Sequence, residues 1–245
     1  MSSQPVTKTT RFWAGVIFLV LVLLTVALAT AGVYRWLHDA QRLPVQTIVF
    51  QGELEHVDTA RLESVIRAAQ PGSFFALDVN EVYALLEQQA WVYRASVRKQ
   101  WPSKLTIYVV EQQPVAHWND DLLLNPYGET FAGDNSLDSL PKLYGPGGSE
   151  KTALQGFNAM QTILSGAALP IDELFLSERF AWQITLDNDI KLNLGRQEFI
   201  DRLQRFVDIY PLLKAQPKAV EYIDLRYDTG LAVGWAENSM TNEKV

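Results

Sequence analysis

Three histidines, His38, His56 and His117, are the only imidazoles in the 245-residue chain. They are scattered without the spacing of a metal-ligand set or of a base beside a nucleophile. There is no cysteine, which excludes disulfides, thiolate chemistry and cysteine-ligated zinc. No Gly-x-Ser-x-Gly elbow occurs. The run from Gly145 to Thr152 superficially resembles a phosphate loop, but Glu150 stands where a glycine must precede Lys-Thr, and no apolar strand leads into it. Asp187 and Asp189 flank Asn188 as turn residues do, short of the several spaced oxygen ligands of a cation loop. On this inventory no catalytic residue, no metal ligand and no cofactor is assigned.

The elements that would position any site begin with a membrane segment. From Phe12 to Val33 the chain carries 22 residues without a charge, enough at about 1.5 Å per residue to cross a hydrocarbon core of ~30 Å. Trp13 on one side and Tyr34 and Trp36 on the other bracket it as interfacial aromatics. Lys8 and Arg11 precede it and a long polar sequence follows, which favours a cytoplasmic N-terminus, although Arg35 and Arg42 lie beyond it. A cleavable signal peptide is the rival reading, since Ala27-Leu28-Ala29 resembles a cleavage site, but the apolar run is longer than an h-region needs. The expected division is 1–11 cytoplasmic, 12–34 transmembrane, 43–115 and 116–236 globular, and 237–245 a polar tail. With 48% apolar residues these units can bury real cores, and the net charge of −7, with no basic run in the folded part, argues for protein partners over nucleic acid.

In the first unit Val45 to Phe50 alternates at period two and reads as a half-buried strand. Asp58 then caps a helix whose apolar stripe is Leu62, Val65, Ile66 and Ala69. Asp78 with Glu81 forms a capping box opening a second helix, which buries Val82, Leu85 and Leu86. Val92 to Gln100 and Lys104 to Glu111 follow as strands joined by a hairpin turn at Trp101-Pro102-Ser103. The order is β-α-α-β-β.

In the second unit, Leu122 to Phe131 reads as strand, turn and strand, and the stretch onward to Gly148 as loop-rich. Leu154, Phe157, Met160 and Leu164 share a helix face; strands follow at Leu174 to Phe180, Trp182 to Leu186 and Ile190 to Leu194. Phe199, Leu203, Phe206 and Val207 mark a helix ending near Pro211, and a last strand is expected from about Val220 to Trp235. The fold class is α+β: one N-terminal transmembrane helix, a β-α-α-β-β domain, and a distal antiparallel-sheet domain with covering helices.

The run from Val97 to Glu111, with Pro114-Val115-Ala116 and Trp118, resembles the POTRA signature of bacterial division proteins. Together with Tyr222 to Gly230 and Gly234-Trp235, it makes the chain similar to the FtsQ/DivIB family over essentially residues 8 to 236. The resemblance implies a non-enzymatic inner-membrane scaffold of the divisome, single-pass with its C-terminal domains in the periplasm and enriched at the septum. Its implied partners are FtsB and FtsL, with further links to FtsK, FtsW, FtsI and FtsN. A segment of FtsB is implied to dock beside the last strand, at Arg226, Tyr227, Thr229, Gly230, Gly234 and Trp235. Arg179, on a neighbouring strand, is implied as a further contact, and Tyr227 as the central anchor. The pattern departs at Thr229, where the family form carries serine; the hydroxyl persists and the added methyl bears on affinity.

An extended strand at a sheet edge is in any case a template for β-augmentation, through unpaired N–H and C=O groups. Two alternatives stay open at this level. One is a POTRA-type assembly factor for another envelope complex, which shares the same edge-strand physics. The other is a periplasmic cell-wall enzyme, whose convergent acids only three-dimensional structure would reveal.

Overall fold

The apolar run folds as one continuous helix, α1 (Lys8–Leu37), of 30 residues, with a 26-residue stretch, Phe12–Leu37, long and apolar enough to cross a bilayer. The helix passes through Ala27-Leu28-Ala29 without interruption. The computed structural model describes residues 8–39, 41–133, 137 and 139–236. The first seven residues and the tail 237–245, together with the side chains of Lys8 and Arg11 used for the charge bias, lie outside the described residues. The chain divides into two compact units, one up to Glu111 and one from Gln112.

The first unit has β1 (Thr47–Gln51), α2 (Thr59–Ala69), α3 (Val79–Glu87), β2 (Val92–Gln100) and β3 (Lys104–Glu111), the expected β-α-α-β-β order. Its sheet runs β1-β3-β2, with β1 parallel and β2 antiparallel to β3. Leu62 and Ile66 of α2 and Val82 and Leu86 of α3 pack on Leu105, Ile107 and Val109 of β3. Asp58 caps α2 by accepting the Arg61 N–H. The capping box at α3 does not form: the Asp78 carboxylate accepts from Asn80 N–H at 2.8 Å. Gln70 intercepts the other half, its Oε1 accepting the Asp78 N–H at 3.2 Å and its amide donating to the Glu81 carboxylate. The side chain of Gln70, the C-cap of α2, thereby replaces the local reciprocal bond.

Glu111, the last residue of β3, lies under the loop that leads into α2. Its carboxylate accepts the N–H of His56 at 3.0 Å and of Val57 at 2.7 Å. Burial pushes its pKa up, but the N–H groups of Glu55, Val57 and His56 more than offset this and hold it below the usual carboxylate value.

The second unit is built on a nine-stranded sheet, ordered β12-β11-β10-β9-β8-β7-β4-β5-β6. Its elements are β4 (Ala116–Trp118), β5 (Leu122–Leu124), β6 (Thr130–Phe131), β7 (Lys142–Tyr144), α4 (Glu150–Ser165), β8 (Ile171–Leu176), β9 (Trp182–Leu186), β10 (Lys191–Gly195), α5 (Phe199–Lys214), β11 (Val220–Asp224) and β12 (Ala232–Trp235). The sheet is mixed. β7 and β8 are parallel because α4 crosses between them, and β10 and β11 are parallel because α5 does; a helix crossover returns the chain in the same direction, and a hairpin reverses it. The two helices pack on each other, and Met160, Leu164, Leu203 and Phe206 from them are buried with Leu174, Ile184, Leu192 and Ile223 of the sheet.

Four details differ from the sequence reading. The stretch read as loop-rich contains β7, which is only three residues long. β8 stops at Leu176, where Ser177 turns the chain: its N–H donates to Ala181 O at 3.0 Å, and Phe180 takes a φ of 58°. α5 continues past Pro211 to Lys214: proline removes one helical donor, while Leu213 packs on the core beyond it. The expected last strand is two strands, β11 and β12, separated by a seven-residue loop from Leu225 to Leu231.

Candidate functional site

β12 is the outermost strand of the sheet, paired on one side with β11 and among the described residues with nothing on the other. Its ladder sets Val220 opposite Trp235, Tyr222 opposite Gly234, Ile223 opposite Val233 and Asp224 opposite Ala232. Ala236 N–H donates inward to Ala219 O at 2.9 Å. Successive residues of a strand direct their backbone groups to opposite sides, so Val233 and Trp235 turn theirs away from β11. Gly234 lies under the Tyr222 ring: a Cβ there would stand 3.0 Å from Tyr222 Cδ1.

Arg226, Tyr227, Thr229 and Gly230 therefore occupy the loop that feeds β12, rather than a strand. The loop is held from beneath by α5. Arg205 Nη1 donates to the carbonyls of Tyr227 and Asp228 at 3.0 Å each and of Gly230 at 3.4 Å. Arg202, buried in the same helix, donates to Leu194 O at 2.8 Å and approaches Asp228 at 3.8 Å. These bonds fix the backbone and leave the Tyr227 ring 57% exposed. Thr229 is exposed as well. Gly230 has a φ outside the left-handed region, and an added Cβ would meet nothing within 4 Å, so the fold itself does not require a glycine there.

Arg226 is set by Asp224. Its Nε donates to both carboxylate oxygens at 2.9 and 3.0 Å and its Nη2 to Oδ2 at 2.6 Å, while Tyr222 OH donates to Oδ2 at 3.1 Å. The Arg226 hydrogen bonds pull the buried Asp224 carboxyl below its usual pKa against the effect of burial. Gly195, at φ 72°, makes room for this arrangement: a Cβ would come within 2.9 Å of Arg202 Nη1 and 3.0 Å of Arg226 Cγ.

Arg179 is not on a strand; it is exposed in the β8–β9 turn. That turn nevertheless lies at the same end of the sheet as the loop, because Trp182 pairs with Gly195, Asn193 with Asp224 and Asp224 with Ala232. β9 and β11 are two strand spacings apart, about 10 Å.

The FtsQ-type POTRA domain model matches residues 43–112, and the model for the C-terminal part of cell division protein FtsQ/DivIB matches residues 116–226. The chain is similar to cell division protein FtsQ of Escherichia coli K12, 43% identical over 91% of this chain and 84% of the relative. It is likewise similar to FtsQ of Shewanella oneidensis, 39% identical over 95% and 89%, and of Vibrio cholerae, 38% over 94% and 90%. The chain belongs to the FtsQ/DivIB cell-division family. Membership places it in the divisome, in a role of protein–protein interaction, and the single apolar helix fits a single-pass membrane protein of that family.

The family's C-terminal match ends at Arg226, so the loop and β12 are read from geometry and not from that match. Arg202, Arg205, Asp224 and Gly195 were not singled out from sequence. One signal was present for Arg202: it falls three positions after Phe199 and one before Leu203, within the apolar stripe of the helix, where a charge needs a partner. The three histidines serve local contacts. His38 stacks on Tyr34 and His56 on Trp91, both at 4.1 Å, and His117 Nε2 lies 2.9 Å from Leu137 O. Among the described residues no three His, Asp or Glu side chains gather as metal ligands.

Proposed function

We propose that this chain is a non-enzymatic scaffold of the inner-membrane divisome that takes a segment of FtsB, from the FtsB–FtsL pair, as an added strand beside β12. The observation that carries the reading is an open sheet edge joined to a loop whose backbone is pinned by Arg205 while its aromatic side chain is left in solvent. The outward N–H and C=O of Val233 and Trp235 supply backbone pairing, and the loop side chains supply selectivity. Tyr227 is the central anchor, with Thr229, Gly230, Gly234 and Trp235 beside it. Arg226 and Arg179 at the same end of the sheet suit acidic groups on the incoming segment.

In this reading the globular units, 43–115 and 116–236, lie in the periplasm, with a cytoplasmic N-terminus and enrichment at the septum. Contacts to FtsK, FtsW, FtsI and FtsN link early and late division proteins, and confinement to one membrane raises the avidity of individually moderate contacts. No cofactor and no reaction are involved.

The test is binding of the full chain in nanodiscs to the soluble part of the FtsB–FtsL pair, wild type against Tyr227→Ala, with circular dichroism on both. A loss of about 2 kcal/mol or more for a folded variant is the expected hot-spot result. Equal affinity of the two proteins removes Tyr227 from the interface, and failure of the wild type to bind removes the reading.

A further inference from the structure

Four aromatics of the β-α-α-β-β domain stand exposed, Phe75 at 41%, Tyr83 at 39%, Trp101 at 76% and Tyr108 at 51%; of these, Phe75 and Trp101 lie in connections and not on a helix or strand. They come from different elements, the α2–α3 connection and the β2–β3 turn; hydrogen bonds tie the first to the end of α1 and the second to the segment that leads from α1 into β1. Ser73 Oγ donates to Leu37 O, the last residue of α1, at 2.7 Å, and Phe74 N–H donates to Leu43 O at 2.7 Å. In the hairpin, Ser103 O accepts the N–H of Gln46 at 3.0 Å and of Thr47 at 3.4 Å, where the chain arrives from the helix to begin β1.

The height of the end of α1 follows from the helix itself. Trp13 and Trp36 are separated by about 35 Å along a helix rising 1.5 Å per residue. That matches a hydrocarbon core of ~30 Å with an aromatic at each boundary, so the water boundary falls at Trp36 and Leu37. Phe75, two residues after the Ser73 bonded to Leu37, is within about 7 Å of Ser73 along even a fully extended chain.

The surroundings of Phe75 are amphipathic in the manner of an interfacial segment. Phe74 beside it is buried, 4% exposed, and packs edge-on against it at 5.6 Å. Lys99 donates to Phe75 O at 3.2 Å, with its ammonium 5.6 Å from the Phe74 ring. An aromatic and a lysine at headgroup level are the side chains that partition to a bilayer surface, the ring among the upper acyl chains and the ammonium among phosphates.

We propose that this end of the first unit is a bilayer-contacting surface, in which Phe75 and Trp101 enter the headgroup region and Lys99 pairs with lipid phosphate, so that the domain stands on the membrane its own helix crosses. The proposal rests on α1 spanning the bilayer and is independent of what docks at β12.

The absence of cysteine gives a direct test with the full chain in phosphatidylethanolamine–phosphatidylglycerol vesicles. Single cysteines at Phe75→Cys, Trp101→Cys, Glu53→Cys and Leu24→Cys carry an environment-sensitive fluorophore, and nitroxides are placed on the lipid at shallow or deep acyl positions. Glu53 is exposed in the loop after β1, at the opposite end of the sheet from the hairpin turn. The expected result is quenching on the order of twofold at Phe75 and Trp101 by the shallow nitroxide, none at Glu53, and quenching of Leu24 by the deep one. A label at either aromatic that behaves as Glu53 does overturns the contact while Leu24 still reports the span; a Leu24 label that escapes the deep nitroxide overturns both.

Discussion

Arg205 holds the backbone carbonyl of Tyr227 at 3.0 Å while the ring of the same residue stands 57% exposed. The loop is thus shaped by its own helix before any partner arrives. A preformed loop spares the complex part of the ordering cost that a floppy one would incur on binding.

Removing that restraint while leaving the Tyr227 ring in place separates shape from contact. Arg205→Ala leaves three loop carbonyls without their charged donor, so amide exchange across residues 225–231 rises. On the proposed docking, affinity for the FtsB–FtsL pair falls by up to about 1.5 to 3 kcal/mol, the worth of hydrogen bonds to a charged group, although the Tyr227 ring is intact. Unchanged exchange in the loop would refute the role given to Arg205.

Gly230→Ala tests the opposite case. Nothing within 4 Å meets the new methyl in the free chain, and the loss of glycine's freedom in the unfolded state stabilises by roughly 0.4 to 1 kcal/mol. Urea unfolding should therefore show an equal or more stable protein and, on the proposed docking, binding assays a weaker binder, because the methyl would project toward the incoming segment. A variant that binds as well as wild type places the partner away from Gly230.

Gly156 of α4 faces Trp182, and an alanine Cβ there would stand 2.3 Å from Trp182 Cη2. The helix-propensity gain of about 1 kcal/mol on leaving glycine is outweighed by the ~1 to 3 kcal/mol cost of overpacking. Gly156→Ala is expected to lower the urea midpoint of the distal unit; a higher midpoint would show that Trp182 can shift freely.

Glu111 makes the first unit acid-sensitive. Its folded pKa lies below the ordinary value of 4.5; the stabilisation is fully present above that value and is lost as pH falls through the lower folded one. Thermal melts across the carboxylate range should show a steeper acid loss for wild type than for Glu111→Gln, which starts less stable at neutral pH and changes less. Parallel profiles would mean that the N–H groups of Val57 and His56 are satisfied without the charge.

Much of the first unit was legible because its strands alternate over eight or nine residues and its helices carry clear stripes: β2 and β3 fall where the pattern puts them, residue for residue. The distal edge was harder. Tyr222 to Trp235 is rich in β-forming residues, and Asp228-Thr229-Gly230, a turn signal, was read through as strand. β7 was missed because three residues carry no period. The grip of Arg205 on the loop joins residues 22 to 25 positions apart, and a polar helix face looks the same in sequence whether it meets water or a loop. The α3 cap failed for a related reason: Gln70, from another element, outcompeted the local partner that spacing alone suggests.

The order in which the sheet is written along the chain has its own bearing on assembly. β12 is the last of the nine strands to leave the ribosome, and its pairing partner β11 reaches β10 only through the crossover of α5. During synthesis this edge strand therefore appears after the eight strands and both helices behind it have been made. A chain stalled or clipped before Ala232 would expose β11 instead and lack the loop-to-strand junction.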